Sequence, residues 1–562
     1  MKLNIIKYIP LLGLVPLAAC DDYLDKTPDN RVIISTSEQM RQLMIDGYSN
    51  YNYTPICELG TDNIIDNNSP DDTGNRYNLT YDSPADLEAY SWEDIVSDIQ
   101  QDSPSSVWQG CYHSIAVCNN VLEAAARLEA EGKGAEVAAV KGEALVSRAY
   151  HHFILANVFA LHYAGPELSK DIPAIPYMDK IEDKVMVNYP REDLASVYDK
   201  IEADLVAGLP LIDDALYDVP KYHFNRKAAN AFAARFYLYK RDYEKADYHA
   251  TQALGGETGN PAGMMRTFWS KTFTTLDALV FAYCSAEEQS NLMLLPTVST
   301  WNRKRGQRFA INRDASKATI YGPGPTWDKW NFHPCYSGKL YLIGSQDYGV
   351  LFPKAGEIFE YIDKVAGIGY IHTVRCEFTA EEALLTRAEA RLFMAAAGVP
   401  TRKGTVYTID DAVADLRIWD KSRQNIPVPL TFPELTKELI INFYQTSDPG
   451  FGIVKPLHID EVNPSDTYSV TAEIEPFLQC ALHFRRIETI EDGLRWFDIK
   501  RYGIEIEHKI GKDRVERLTL NDPRRALQIP TDVLSAGFKP NIRNTPLPDG
   551  TMVVAPVSYK KN

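Results

Sequence analysis

The chain lacks the short signatures of the common hydrolase, metalloprotease and nucleotide sites. Gly-x-Ser-x-Gly, His-Glu-x-x-His and Gly-x4-Gly-Lys-[Ser/Thr] are all missing from its 562 residues. Cysteine is sparse, at eight residues with no Cys-x-x-Cys, which argues against a zinc ribbon, a redox couple or a disulfide framework. Cys111 and Cys118 stand seven apart on a helical pattern and read as packed thiols. Beyond residue 20 no apolar run is long enough to cross a bilayer. Positive charge is in deficit: 59 Lys and Arg face 76 Asp and Glu, a net charge of −17. Such a surface repels phosphate backbones, so nucleic acid is excluded as a partner. The many acidic residues single out no carboxylate pair at glycosidase spacing, which weakens hydrolysis without removing it. His151-His152 lies on a helical pattern as a packed or solvated pair, and no metal or cofactor site is predicted.

What is present begins at the first residues. Lys2 and Lys7 open the chain, an apolar run over residues 9–17 follows, and Leu17-Ala18-Ala19-Cys20 closes it. A charged start, a short apolar core and small residues before a cut make a secretory signal over residues 1–19. The Leu-Ala-Ala-Cys ending resembles a bacterial lipobox, which implies acylation of Cys20; the alternative is an ordinary signal that ends near a cysteine. One acyl chain binds reversibly, whereas two or three hold a protein permanently. Asp21, Asp22 and Asp25 resemble the surface-export signal of Bacteroidetes lipoproteins, while in other bacteria an Asp beside the cysteine resembles an inner-membrane retention mark. Removal of Lys2 and Lys7 with the leader makes the mature chain more acidic still.

Hydrophobic content of 45% and charged content of 24% are those of a globular protein. Helical periodicity runs through residues 107–128, 143–160, 191–209 and 242–254. Asn225 is placed to cap another helix through Ala228, Phe232, Arg235 and Leu238. Helices of this length, joined by short turns and rich in small residues, predict a tetratricopeptide-like array. A further helix pair is predicted over residues 379–419. Residues 54–101 and 255–375 read differently, as ordered loops rich in Gly, Pro, Asn and aromatics. The Pro-rich tail after Pro523 reads as extended.

Three stretches together resemble the SusD/RagB family. Gly142-Glu143-Ala144-Leu145-Val146-Ser147-Arg148-Ala149-Tyr150-His151-His152-Phe153 is similar to its GEA…RA…YF helix. Ala234-Arg235-Phe236-Tyr237-Leu238-Tyr239 with Asp242-Tyr243-Glu244-Lys245-Ala246 is similar to its second repeat. Arg485-Arg486-Ile487-Glu488 and Gly493-Leu494-Arg495-Trp496-Phe497-Asp498-Ile499-Lys500-Arg501-Tyr502 resemble its most specific helix. Ile529-Pro530 and Pro540-Asn541-Ile542-Arg543-Asn544-Thr545-Pro546 echo its closing segment. Asp492, Glu491 and Lys539 depart from the pattern. Taken as a helix surface, these motifs are structural: Ile487, Ile490, Leu494 and Phe497 form a core face, Arg495 pairs with Asp498, and Arg148 pairs with a buried carboxylate.

The resemblance implies a mainly α, SusD-like fold, with a helical-repeat region at 20–254 and a loop-rich region at 255–562. It implies a cell-surface lipoprotein of the outer membrane that captures oligosaccharides and delivers them to a SusC-like TonB-dependent transporter. The repeat array would dock on the barrel, the lipid anchor would be the only membrane contact, and no cofactor would be needed. Sugars offer C–H faces to aromatic rings, worth about 1 kcal/mol per ring beyond burial, and hydroxyls to amide and guanidinium groups. Candidate binding residues are therefore Tyr77, Tyr81, Tyr90 and Trp92 in the first loop region. In the second they are Trp301, Asn302, Arg303, Tyr321, Trp327 and Trp330. A surface glycoside hydrolase and a protein-binding adhesion or assembly lipoprotein are the alternatives.

Overall fold

The computed structural model describes residues 34–562, apart from 72, 81–82, 98–99, 183–188, 269–272, 317–321, 328–340, 343–348, 425–431, 446–451, 544, 547–551 and 554–562. Cys20, Tyr81, Tyr321 and Trp330 lie outside the described residues. The fold is mainly α, as the periodicity predicts. After a short helix α1 (Ser37–Met44) and helix α2 (Pro84–Tyr90), the long α3 (Pro104–Ala130) and α4 (Gly134–Phe159) pack together, joined by a three-residue turn. So short a connection makes them antiparallel neighbours. Ser103 and Ser106 form a reciprocal cap at the start of α3, with Pro104 in the first turn, where its missing N–H loses nothing.

Next come α5 (Leu194–Gly208), α6 (Arg226–Lys240) and α7 (Tyr243–Ala253), each packed on a neighbour. Asn225 caps α6 as its sequence position predicts, accepting from Ala228 N at 3.0 Å. A pair α8 (Ala380–Ala397) and α9 (Ile409–Arg423) and two late helices, α10 (Glu475–Glu488) and α11 (Leu494–Arg501), complete the body. One connected apolar core takes in residues from Tyr53 to Ile529. Gly142 of α4 and Gly208 of α5 meet backbone to backbone: a Cβ at Gly208 would stand 2.9 Å from the Gly142 carbonyl. The first motif's glycine therefore sets how closely these helices approach.

The motif arginines lock this body from within. Arg148 forks onto Asp204 of α5 with two contacts of 2.7 Å and reaches Asn119 of α3 at 2.8 Å, which supplies the predicted carboxylate. Arg235 of α6 is 1% exposed. It donates to both Glu382 oxygens, to the Glu377 carboxylate and to the Glu377 carbonyl, each at 2.7 Å. Glu389 of α8 accepts from Arg501 at 2.8 Å, Tyr502 at 2.7 Å and Arg485 at 3.3 Å. His151 and His152 are packed inside, each bound to a carbonyl one turn earlier and to a backbone N–H from another segment. Cys111 and Cys118 are buried free thiols.

One local expectation is overturned. Arg495 does not pair with Asp498 on a helix surface; both are buried, and Arg495 forks onto Asp62 with two contacts of 2.9 Å. Asp498 accepts instead from Arg501 at 2.6 Å. The reason is a break between α10 and α11, where Glu491 and Gly493 adopt left-handed backbone and turn Arg495 toward the N-terminal loop.

The region read as loops also holds a sheet. Strand β2 (Asn291–Thr297) pairs antiparallel with β5 (Ile368–Thr379), which pairs with β4 (Glu357–Asp363) in a hairpin. Two short strands, β1 (Ile65–Asp66) and β3 (Phe309–Ala310), pair separately, as do β6 (Ile506–Ile510) and β7 (Arg514–Leu518). Past Pro523 the tail is not wholly extended, because Thr531–Ser535 forms a short helix.

Candidate functional site

The two irregular stretches meet through β1 and β3, whose paired residues lie more than 200 positions apart in sequence. Ile65 lies opposite Ala310 and Asp66 opposite Phe309. Arg308 forks onto Asp66 at 2.9 and 3.0 Å. Asn67 next to it donates to the Arg308 carbonyl at 2.8 Å and to the Gln307 carbonyl at 2.9 Å, and accepts from Asn312 at 3.0 Å. Asn68 closes the outer loop onto itself by exchanging hydrogen bonds with Leu79 at 2.6 and 2.9 Å. Asn67 thus holds one loop to the other, while Asn68 shapes its own loop.

The second loop is pinned from below. Arg305, 7% exposed, donates to the Phe352 carbonyl at 2.9 Å and forms an ion pair with Glu491. Burial pushes the Glu491 carboxyl up to about 7 against the pull of Arg305. This partner accounts for a charged residue where the family motif has an apolar one. Asp492 likewise meets Lys354 at 2.6 Å, and burial raises its carboxyl to about 6. Asp102 accepts from the Thr300 N–H and hydroxyl at 2.6 and 2.7 Å. Lys304 forms an ion pair with Asp86 at the end of the loop.

On this support Tyr77 and Asn302 are half-buried and Arg303 is exposed. Asn302 Oδ1 accepts from Arg305 at 3.0 Å, which leaves its amide N–H2 group as the outward donor. Arg303, with 57% of its side chain exposed, donates from Nε to Glu357 at 2.5 Å. The second loop therefore presents a guanidinium beside a carboxylate with an amide next to it in sequence, and Tyr77 stands half-buried on the first loop.

The other four described aromatics turn inward. Tyr90, Trp92, Trp301 and Trp327 are 2–7% exposed. Tyr90 and Trp92 sandwich His508 of β6, with ring centroids 4.0 and 4.3 Å away. The Trp92 indole donates to Gly60 at 2.9 Å, and that of Trp327 to Gly322 at 2.9 Å. These rings support the loops by packing, and the polar ends of Tyr90, Trp92 and Trp327 are satisfied. Among the described residues, therefore, the structure brings Tyr77, Asn302 and Arg303 to the surface and puts these four rings in the core beneath.

A larger groove of about 1430 Å³ lies elsewhere, between α1, α3 and the tail, lined by Trp108, Tyr112, Met178 and Phe538 among others. Several of its polar groups are spent internally: Tyr112 donates to Pro176 at 2.9 Å, Asn119 to Met178 and Lys180 at 3.1 Å, and Asn120 to Ala116 at 2.7 Å. Asp46, Lys180 and Glu182 also line it.

Comparison with known proteins now bears on this arrangement. The SusD-like_3 family model, described as "Starch-binding associating with outer membrane", matches residues 22–238. Solved structures share the fold along almost their whole length. A SusD superfamily protein from Bacteroides fragilis aligns at TM-score 0.58 and 16% identity, over 90% of this chain and 99% of the other. This chain has a SusD-like fold. A SusD superfamily protein from Bacteroides vulgatus ATCC 8482 aligns at TM-score 0.57 and 18% identity, with the same coverage. A candidate sugar binding protein from that organism aligns at 0.58 and 17%, over 91% of this chain and 99% of the other. No curated protein matches the chain. In this SusD-like body no helix among the described residues is long and apolar enough to cross a membrane.

Proposed function

We propose that the chain is a carbohydrate-binding lipoprotein of the outer membrane, held by an acylated Cys20 and facing the cell exterior. It captures oligosaccharides at the loop face and hands them to a SusC-like TonB-dependent transporter, against which the helical repeats dock. The observation that supports this reading is the knitting of two distant loops through Asp66 and Arg308, on a body whose N-terminal part matches a family described as starch-binding. Tyr77 offers a ring for the C–H face of a sugar, while Asn302 and Arg303 offer donors to its hydroxyls. Because Asp66, Asn67 and Arg305 hold the backbone beforehand, little ordering entropy opposes binding. Each contact is modest, so release toward a transporter stays fast.

The reading is tested by retention of the mature protein in gels containing soluble starch, arabinogalactan, xyloglucan, inulin or mucin glycans. Retention by at least one polysaccharide, with no new reducing ends, is expected. New reducing ends would point to hydrolysis, and no retention with intact transporter co-purification would point to an assembly role. Incorporation of a labelled fatty acid that is lost in Cys20→Ser tests the anchor separately.

A further inference from the structure

The β4–β5 hairpin breaks the usual rule that large apolar side chains turn inward. Phe359 is 44% exposed, Tyr361 52% and Ile371 47%. Alternation along the strands puts all three on one face, because Phe359 lies opposite Ile371 and Tyr361 opposite Gly369. The glycine decides what this face is. A Cβ added to Gly369 would stand 2.7 and 2.8 Å from Cε1 and Cζ of Phe359. The Phe359 ring therefore reaches across the ribbon and lies over the bare glycine backbone, a way aromatics cover strand glycines. Tyr361 stands against it edge-to-face, 4.8 Å between centroids at 76°. A ring laid on backbone offers a flat outward surface and no projecting knob.

The root of this ribbon belongs to the loop face, since Glu357 at the start of β4 holds Arg303. A strand rises about 3.3 Å per residue, so Tyr361 stands about 13 Å beyond Glu357. Glu360 alternates to the opposite face, where it accepts from the Tyr370 hydroxyl at 3.0 Å, so the face of the two rings is carbon surface. We propose that Phe359 and Tyr361 form an aromatic shelf that stacks sugar rings of an oligosaccharide whose other end lies at Asn302 and Arg303. The inference rests on the glycan-binding reading and adds to it a second contact zone, which only a chain of several sugars spans.

The test is Phe359→Ala with Tyr361→Ala in the full mature protein, titrated with short and long oligosaccharides cut from whichever polysaccharide of the panel retains the wild type. Affinity for the long chain is expected to fall about 30-fold, since two stacked rings are lost, and affinity for the short one to stay put. The conservative pair Phe359→Tyr with Tyr361→Phe is expected to keep both. Equal binding of all lengths by the alanine pair would overturn the shelf while leaving the glycan reading intact. So would loss of transporter co-purification with unchanged glycan affinity, which would make the ribbon a protein contact. A wild type that no polysaccharide of the panel retains would sink both together.

Discussion

Arg235 and Arg303 use one chemistry in two opposite settings. Arg235 lies in the helical body at 1% exposure with a carboxylate on either side, whereas Arg303 stands on the loop face with 57% of its side chain in water and one carboxylate beside it. A buried guanidinium with every donor used has one permitted geometry, and removing either partner strands a charge in a low-dielectric interior. An exposed one loses little when its partner leaves, so it is free to exchange that partner for a ligand hydroxyl. The contrast separates what builds the protein from what it presents. The family motifs fall in the first class, and the loop face with its ribbon in the second.

That division can be broken at either end. Arg235→Ala should be the most damaging change, at about 3–5 kcal/mol, because Glu382 is left buried without its forked cation and Glu377 keeps only Arg375. Urea unfolding of the variant measures it, and a loss under about 1 kcal/mol would mean the body does not depend on its internal ion pairs. The Phe359 and Tyr361 double variant comes next, with its roughly 30-fold loss confined to long oligosaccharides and only a small drop in melting temperature, since both rings are about half-exposed.

A smaller effect belongs to Asp420, buried under the Trp327 loop and accepting from Thr326 at 2.6 Å and Gln424 at 2.9 Å. Burial pushes its carboxyl up to about 7. A carboxyl raised on folding supports the native state fully below its unfolded value and loses that support as pH rises through its folded value. The wild type should therefore lose melting temperature relative to Asp420→Asn between about pH 4 and 7 and run parallel to it above. A constant gap across that range would contradict the assignment. Smallest of all is Arg303→Ala, worth less than about 1 kcal/mol in stability as an exposed pair.

Much of the body was legible because helices are written locally. The period through Ala228, Phe232 and Arg235 and the cap at Asn225 fix α6 without reference to anything distant. Arg148 on an apolar helix announces a buried partner, since an unpaired charge there is too costly, although only the fold names Asp204. What depends on distant pairing was not legible. Spacing alone put Arg495 beside Asp498, and only the turn at Glu491 and Gly493 sends it to Asp62. Strand β2 meets β5 across some 80 residues of chain, so nothing local marks that pairing. Aromatics in loops carry the same ambiguity, because Trp92 and Tyr77 sit in similar sequence yet only one reaches the surface.

The most direct measurement is calorimetric titration of the retained oligosaccharide into wild type and a Tyr77→Ala, Asn302→Ala, Arg303→Ala triple variant with an unchanged melting temperature. Loss of measurable binding in the triple variant is the predicted result. Binding of wild-type strength would contradict a capture site on the loop face.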